Sequence, residues 1–424
     1  MKVVIMAGGK GTRISSIASD IPKPMIKIND KPVLEHEIEC LKEQGFDDII
    51  ITVSHLGNVI IDYFGDGSKF GVKIDYFFEK EPLGNAGALF KIKDKLSDNF
   101  LLLNADSIFD VDFNRFVEYH MKKGGLVTLF THPNSHPYDS GLIITDENNS
   151  VFKWINKEDL RPKYYKNRVN AGLHILNKKV LDVEIDGQKV DLDRQILKPL
   201  QGSGLMYAYD SPEYVKDMGT PDRYKMVCED FLNGIVQKRN LKNKQKAIFL
   251  DRDGTINKYV GFLTDINRFE LIDGVCDAIK KINASEYLAI VITNQPVIAR
   301  GEVSINELTD IHNKMETLLG NNGAYINDIF YCPHHPDKGF LGERIEYKIN
   351  CNCRKPKIGM LISAMEKYNI DLKQSWFIGD GKNDILCGKN AECKTILISE
   401  NETFGEDYKV SSLKEAVDLI IRKE

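Results

Sequence analysis

Two glycine-bearing turns with charged side chains mark where this 424-residue chain could handle phosphate. The first, Gly8-Gly9-Lys10-Gly11-Thr12-Arg13, directly follows the apolar run Val3–Ala7. Glycines let a backbone approach a polyphosphate and aim N–H groups at it, and Arg13 adds a charged fork for terminal phosphates. Ten residues after Arg13, Pro22 and Pro24 stiffen the segment that carries Lys23. The second turn, Asp251-Arg252-Asp253-Gly254-Thr255, follows Ala247–Leu250. Carboxylates as close as Asp251 and Asp253 repel each other without a cation, so a metal belongs to this turn. Asp106 ends the apolar run Leu101–Leu103, and Asp380 follows Trp376–Gly379 in the same way. Cys332-Pro333-His334 and Cys351-Asn352-Cys353 offer three thiolates and an imidazole, a donor set suited to closed, tetrahedral, structural Zn²⁺. His335 competes with His334 as the nitrogen ligand.

Both turns need a strand before them and helices beside them. Strand-like runs (Ile49–Val53, Val72–Phe77, Phe100–Asn104, Leu126–Thr131) alternate with helical patterns (Val33–Gln44, Ala86–Lys95, Phe113–Lys122) in the first half. The second half repeats the alternation with Leu288–Thr293, Glu307–Leu319, Ile358–Tyr368, Trp376–Gly379 and Thr395–Ile398. This predicts an α/β protein of two doubly wound domains, each a parallel sheet with helices on both faces and ligands at the carboxyl ends of strands. The length also suits two cores. The boundaries read as 1–232 and 246–424, joined by a basic, solvated linker at 233–245 that includes Lys238, Arg239, Lys242 and Lys244.

Hydrophobic content of 42%, charged content of 28% and a net charge of -5 are those of a globular protein, with no bulk reason to bind nucleic acid or membrane. The apolar runs are strand-sized, and the N-terminus reads as a first strand rather than a secretion signal. Cysteines that cluster in such a chain suggest metal binding more than disulfides, and the expected location is the cytoplasm.

The glycine turn together with Ser19-Asp20-Ile21-Pro22-Lys23-Pro24-Met25 resembles the signature of the sugar nucleotidyltransferases, most of all the heptose-1-phosphate and mannose-1-phosphate branch. The resemblance implies nucleotide binding by Gly8, Gly9, Gly11, Thr12, Arg13 and Lys23, with Arg13 and Lys23 also catalytic. Pro82–Ala88 is similar to the family's base-contacting loop, with Gly84 and Gly87 in place and Asn85 where threonine is common. By the same likeness Asp106 and Asp217 hold Mg²⁺, Lys157 binds the sugar phosphate, and Asn170-Ala171-Gly172 is the sugar-facing turn. Asn156 stands where the family often has glutamate.

From Lys246 to about Leu397 the chain resembles the haloacid-dehalogenase phosphatases. The implied roles are Asp251 as nucleophile, Asp253 as general acid and base, and Thr293, Asn294 and Lys355 as phosphate ligands. Asp251, Asp253 and Asp380 would hold Mg²⁺, within an acidic segment that runs to Asp384. Cys332, His334, Cys351 and Cys353 would hold Zn²⁺, His334 being favoured over His335 by the family pattern. Ala299-Arg300-Gly301 and Cys353-Arg354-Lys355-Pro356 look most like D-glycero-D-manno-heptose 1,7-bisphosphate phosphatase, with Arg300 and Arg354 as further sugar-phosphate contacts. Histidinol-phosphate phosphatase is the near relative, and Gly381 replaces the lysine usual in the heptose enzymes.

Together the resemblances imply a bifunctional enzyme whose partners are small molecules, a nucleoside triphosphate (GTP by family) and heptose phosphates. The rival readings keep both chemistries on another sugar or nucleotide, such as mannose 1-phosphate, or leave the first half as a regulatory nucleotide-binding domain.

Overall fold

The computed structural model describes residues 1–9, 21–185, 187 and 189–423. The chain forms two compact units. One comprises Met1–His132, Gly141–Asn156 and Val169–Asn240; the other comprises Pro133–Ser140, Lys157–Arg168 and Leu241–Glu424. Two short pieces from within the first half are thus counted with the second unit.

The first unit is built on β1 (Lys2–Met6), β4 (Asp48–Val53), β5 (Lys73–Phe78) and β6 (Asn99–Asn104), parallel and ordered β6-β1-β4-β5, with the small hairpin β2 (Lys27–Ile28) and β3 (Lys31–Pro32) beside them in sequence. Successive side chains of β1 enter different cores. Val3 and Ile5 join Leu101, Leu103 and helices α1 (Val33–Lys42), α2 (Gly57–Phe64) and α4 (Phe113–Lys123), whereas Val4 joins Phe100, Leu102 and α3 (Gly87–Lys91). A strand apolar on both faces is what a sheet covered by helices requires.

Beyond β6 the expected all-parallel pattern stops. Strands β8 (Val127–His132), β9 (Leu142–Thr145), β10 (Val151–Ile155), β11 (Val169–Asn177) and β12 (Met206–Asp210) follow one another with few helices between them. Without a helical crossover neighbouring strands pair antiparallel, as β11 does with β6 and β8, and β10 with β9. Strands β7 (Ser107–Asp110) and β13 (Tyr214–Asp217) form a separate antiparallel pair that precedes α5 (Pro221–Leu232).

The second unit has the six parallel strands expected of a doubly wound fold, ordered β16 (Asp328–Cys332), β15 (Tyr287–Asn294), β14 (Lys246–Leu250), β17 (Trp376–Gly379), β18 (Lys394–Ile398) and β19 (Tyr408–Val410). The strand order reverses between β14 and β17, which opens a crevice at their carboxyl ends. Helices α7 (Val275–Asn283), α8 (Ile305–Asn321) and α11 (Leu413–Ile421) cover one face, and α9 (Gly359–Tyr368) and α10 (Lys382–Asn390) the other.

The basic stretch is not the solvated linker that its charge suggested. It contains a short helix, α6 (Ile235–Lys238), and Val236, Arg239, Asn240, Leu241 and Gln245 are buried. Charge density misled here because apolar and amide side chains, and Arg239 itself, carry the burial between exposed lysines.

Candidate active sites in the two units

In the first unit, β6 ends at Asn104, immediately before Ala105-Asp106, and the β7–β13 ladder sets Asp217 opposite Ser107. This register brings the two acids of the sequence reading together from positions 111 residues apart. Lys23, buried at the start of a 3-10 turn, reaches Asp106 Oδ2 at 2.7 Å. Asp217 accepts hydrogen bonds from Arg223 Nη1 at 2.8 Å and from the Gly219 N–H at 2.7 Å. Burial would raise its pKa, but the Gly219 amide and the Arg223 charge outweigh it and hold the carboxyl below its usual value. Each acid therefore already has a basic partner. The contact from Arg223 was missed, and its signal was its place in the first turn of α5, which Thr220 caps.

Gly8 and Gly9 follow β1, with the Ser54 hydroxyl donating to the Gly8 carbonyl at 2.7 Å. Lys10–Asp20, and with them Gly11, Thr12 and Arg13, lie outside the described residues. At Gly84 φ is +81°, and a Cβ there would lie 2.3 Å from the Val190 carbonyl, so this turn admits only glycine. Gly87 is buried as the first residue of α3. The Asn85 side-chain Oδ1 accepts from the Leu192 N–H at 2.7 Å, so its acceptor serves the loop. Asn170 and Gly172 sit at a register shift in β11 that turns Asn170 onto His174 Nε2 at 3.0 Å. Lys157 is exposed in the turn after β10 and opens the segment counted with the second unit.

The second unit gathers its acids at the strand-order reversal. Asp251 follows β14, and Asp380 follows β17. Oxygens of Asp251, Asp380 and Asp384 lie within 4.8 Å of one another. Lys355 is nearly fully buried and bridges two of them, at 2.7 Å from Asp251 Oδ1 and 2.6 Å from Asp384 Oδ1. Burial and the Asp384 charge push Asp251 up to about 7, against the pull of Lys355. Burial and Asp384 likewise push Asp380 up to about 6. Burial would lower the Lys355 pKa, yet the two carboxylates raise it. One ammonium among three carboxylates leaves the cluster short of positive charge, and its all-oxygen donor set fits a hard divalent cation such as Mg²⁺.

Asp253 takes no part in that group of three. Arg252 grips both of its oxygens, and Asn257 and Gln295 each donate to one of them. Asn294 brackets Lys355 by accepting from its N–H at 2.9 Å and donating to its carbonyl at 3.1 Å. The Thr293 hydroxyl accepts from Gln295 Nε2 at 2.9 Å. Thr293, Asn294, Arg354 and Lys355 join the acids in lining a cavity of about 270 Å³. Arg300 is not among its lining residues. Its guanidinium is stacked between Phe262 and Phe340, 4.2 and 4.4 Å from the ring centres, and paired with Glu302.

Cys332, His334, Cys351 and Cys353 converge to within 4.8 Å, and His334 Nδ1 lies 3.2 Å from Cys353 Sγ. His335 instead turns its Nδ1 to the Asp337 N–H. Three thiols and one ring nitrogen at this spacing fit tetrahedral Zn²⁺. The Arg354 N–H donates to Cys351 Sγ, which ties the cluster to the backbone that leads into Lys355. No helix among the described residues is long and apolar enough to cross a membrane.

Comparison with known proteins follows the same division. Residues 2–233 match the nucleotidyl transferase family, and residues 352–420 match the HAD-hydrolase-like family. A UTP–glucose-1-phosphate uridylyltransferase of Synechocystis is 35% identical over 261 residues, 58% of this chain and 66% of that protein. Mannose-1-phosphate guanylyltransferase 1 of Arabidopsis thaliana is 30% identical over 248 residues, 57% of this chain and 68% of that protein. The D-glycero-beta-D-manno-heptose-1,7-bisphosphate 7-phosphatase of Pasteurella multocida is 41% identical over 167 residues, 39% of this chain and 88% of that protein. With Asp106 after β6 set beside Asp217 and Lys23, and its acid cluster at the β14–β17 crevice, the chain belongs to the nucleotidyl transferase family in its first half and to the HAD-type heptose-bisphosphate phosphatases in its second.

Proposed function

We propose that the chain removes the 7-phosphate of D-glycero-D-manno-heptose 1,7-bisphosphate and then joins the remaining 1-phosphate to a nucleotide, GMP from GTP, releasing pyrophosphate. The observation that carries this reading is the cluster of Asp251, Asp380, Asp384 and Lys355, in a unit 41% identical to a heptose-bisphosphate phosphatase. The identities to uridylyl- and guanylyltransferases support the second chemistry.

In the phosphatase reaction an Asp251 oxygen attacks phosphorus, the bond from phosphorus to the sugar oxygen breaks, and Asp253 supplies that oxygen with a proton. Asp253 then takes a proton from the water that attacks the aspartyl phosphate, and inorganic phosphate leaves. Lys355, Thr293 and the Asn294-braced backbone hold the phosphoryl oxygens. Mg²⁺ held by Asp251, Asp380 and Asp384 would neutralise the charge gathered there. In the nucleotidyl transfer a sugar-phosphate oxygen attacks the α-phosphorus and pyrophosphate departs. The attacking group is already an anion, so orientation and charge neutralisation suffice. Lys23 supplies one charge, Arg13 and Lys157 supply others by the family pattern, and Asp106 and Asp217 would hold Mg²⁺. Zn²⁺ in the cysteine–histidine cluster would be structural and would fix the Arg354–Lys355 backbone. The intermediates are soluble phosphates, which suits the cytoplasm.

A second reading, UTP in place of GTP, rests on the 35% identity to a uridylyltransferase. A matrix of nucleoside triphosphates against sugar 1-phosphates, read by pyrophosphate release, decides between them. Highest turnover with GTP and heptose 1-phosphate is expected. A clear preference for UTP, ATP or dTTP refutes the guanylyl assignment, and no phosphate release from the heptose bisphosphate refutes the phosphatase one.

A further inference from the structure

A fully buried arginine stands between the two acids of the Asp251-Arg252-Asp253 turn. Its Nη2 donates to Asp253 Oδ1 at 3.0 Å and Oδ2 at 2.8 Å, and its Nε reaches Oδ1 at 3.3 Å. The remaining nitrogen, Nη1, lies 3.2 Å from His312 Nε2, and His312 is buried on α8. Guanidinium groups only donate, so His312 Nε2 must be the acceptor and its ring proton must sit on Nδ1. Burial and the Arg252 charge push the His312 pKa down to about 3, in keeping with a neutral ring. Asn257 Nδ2 and Gln295 Nε2 complete the grip on Asp253, each at 3.0 Å.

A buried ion pair is a poor way to gain stability, since apolar side chains of the same volume serve as well or better. A fork locked from behind by a histidine lone pair does something apolar residues cannot, because it fixes where a carboxylate points. We propose that Arg252 and His312 are positioning residues for Asp253, with His312 orienting the guanidinium and the guanidinium fixing where the Asp253 carboxylate points. The inference rests on the phosphatase reading above.

The test uses the full chain and phosphate release from D-glycero-D-manno-heptose 1,7-bisphosphate, with p-nitrophenyl phosphate as a second substrate. In His312→Phe, which removes the acceptor, kcat should fall about 10-fold or more with KM nearly unchanged, as expected of a misplaced group. His312→Gln, whose amide oxygen can accept from Arg252, should recover most of that loss. Melting temperature and nucleotidyl transfer report on folding. Wild-type kcat in a folded His312→Phe, or no recovery in a folded His312→Gln, overturns the inference. If His312→Phe does not fold, Arg252→Lys decides, since it keeps the charge and loses the fork. Its kcat should fall with KM held, and wild-type kcat overturns the inference. If the wild-type chain releases phosphate from neither substrate, the phosphatase reading falls and takes this inference with it.

Discussion

The two sites hold their acids in opposite ways. In the first unit Asp106 and Asp217 are 43% and 42% exposed, and each already has its own cation, Lys23 or Arg223. In the second unit Asp251 and Asp384 are 13% and 5% exposed and share a single lysine. The pKa directions follow, with Asp217 held down and Asp251 and Asp380 pushed up. The open site is neutralised by the chain, so a ligand entering it must exchange partners with Lys23 and Arg223. The buried site lacks positive charge and needs only to add some. Exposure thus decides whether a carboxylate pair waits for a cation or must be released from one.

The sharpest break of this comparison is Asp251→Asn, which keeps the shape and removes the nucleophile. Phosphate release should fall at least about 10³-fold. Nucleotide-linked heptose should form normally from heptose 1-phosphate and not at all from the bisphosphate, as read by chromatography. A nucleotide-linked heptose 7-phosphate from the bisphosphate would show that the transferase acts first. Next, Asp106→Ala should cost nucleotidyl transfer about 10²-fold or more, measured by pyrophosphate release, and leave phosphate release unchanged. A loss of only a few-fold would mean that metal is held elsewhere.

Cys351→Ser should lower zinc content from about one per chain and reduce phosphatase turnover about 10-fold through the Lys355 backbone, sparing the first site. Full zinc occupancy in that variant would sink the ligand assignment. A smaller effect should come from Asp328, a partly buried acid in the second unit that does have cations. Burial would raise its pKa, but Lys367, Lys166 and Arg168 outweigh it and hold the carboxyl below the usual range. A depressed acid stabilises the fold above its unfolded pKa of about 3.9, and that contribution fades as pH falls through the folded value. Asp328→Asn should therefore cost about 2 kcal/mol at pH 7, and progressively less below about pH 4, in denaturant titrations. The smallest effect is expected from Arg223→Met. An exposed pair adds at most about 1 kcal/mol to stability, so melting should barely move. With its competitor gone, Asp217 should need about 2-fold less Mg²⁺ for half-maximal nucleotidyl transfer. An increased requirement would show that Arg223 orients Asp217 rather than competing for it.

Much of this was legible in sequence because the chemistry sits at strand ends. An apolar run stopping at Asp106, Asp251 or Asp380 gives both the strand and the place of its acid. Residues that act across the chain were not legible. Arg223 reaches Asp217 through a helix cap, and His312 reaches Arg252 from a helix sixty residues on. Neither spacing has a periodic signature. Strands β9, β10 and β12 have only four or five residues each and are irregularly spaced, so alternation could not announce them. The stacking of Arg300 between two aromatic rings far apart in sequence, Phe262 and Phe340, had no signature in the sequence either.

The second unit draws Pro133–Ser140 and Lys157–Arg168 from inside the other half of the chain, and this bears on how such a protein could be divided. Arg168 makes a buried ion pair with Glu316 of α8 at 3.1 Å, the Thr317 hydroxyl donates to the Tyr165 carbonyl, and the Tyr165 N–H donates back to that hydroxyl. Cutting the gene between Asn240 and Leu241 would give a downstream polypeptide without the segment that carries Tyr165 and Arg168, so the part of α8 with Glu316 and Thr317 would lose the partners that pack on it. Fission at that boundary would leave the second unit without two of its own pieces. The downstream product would first have to replace what the upstream half lends it.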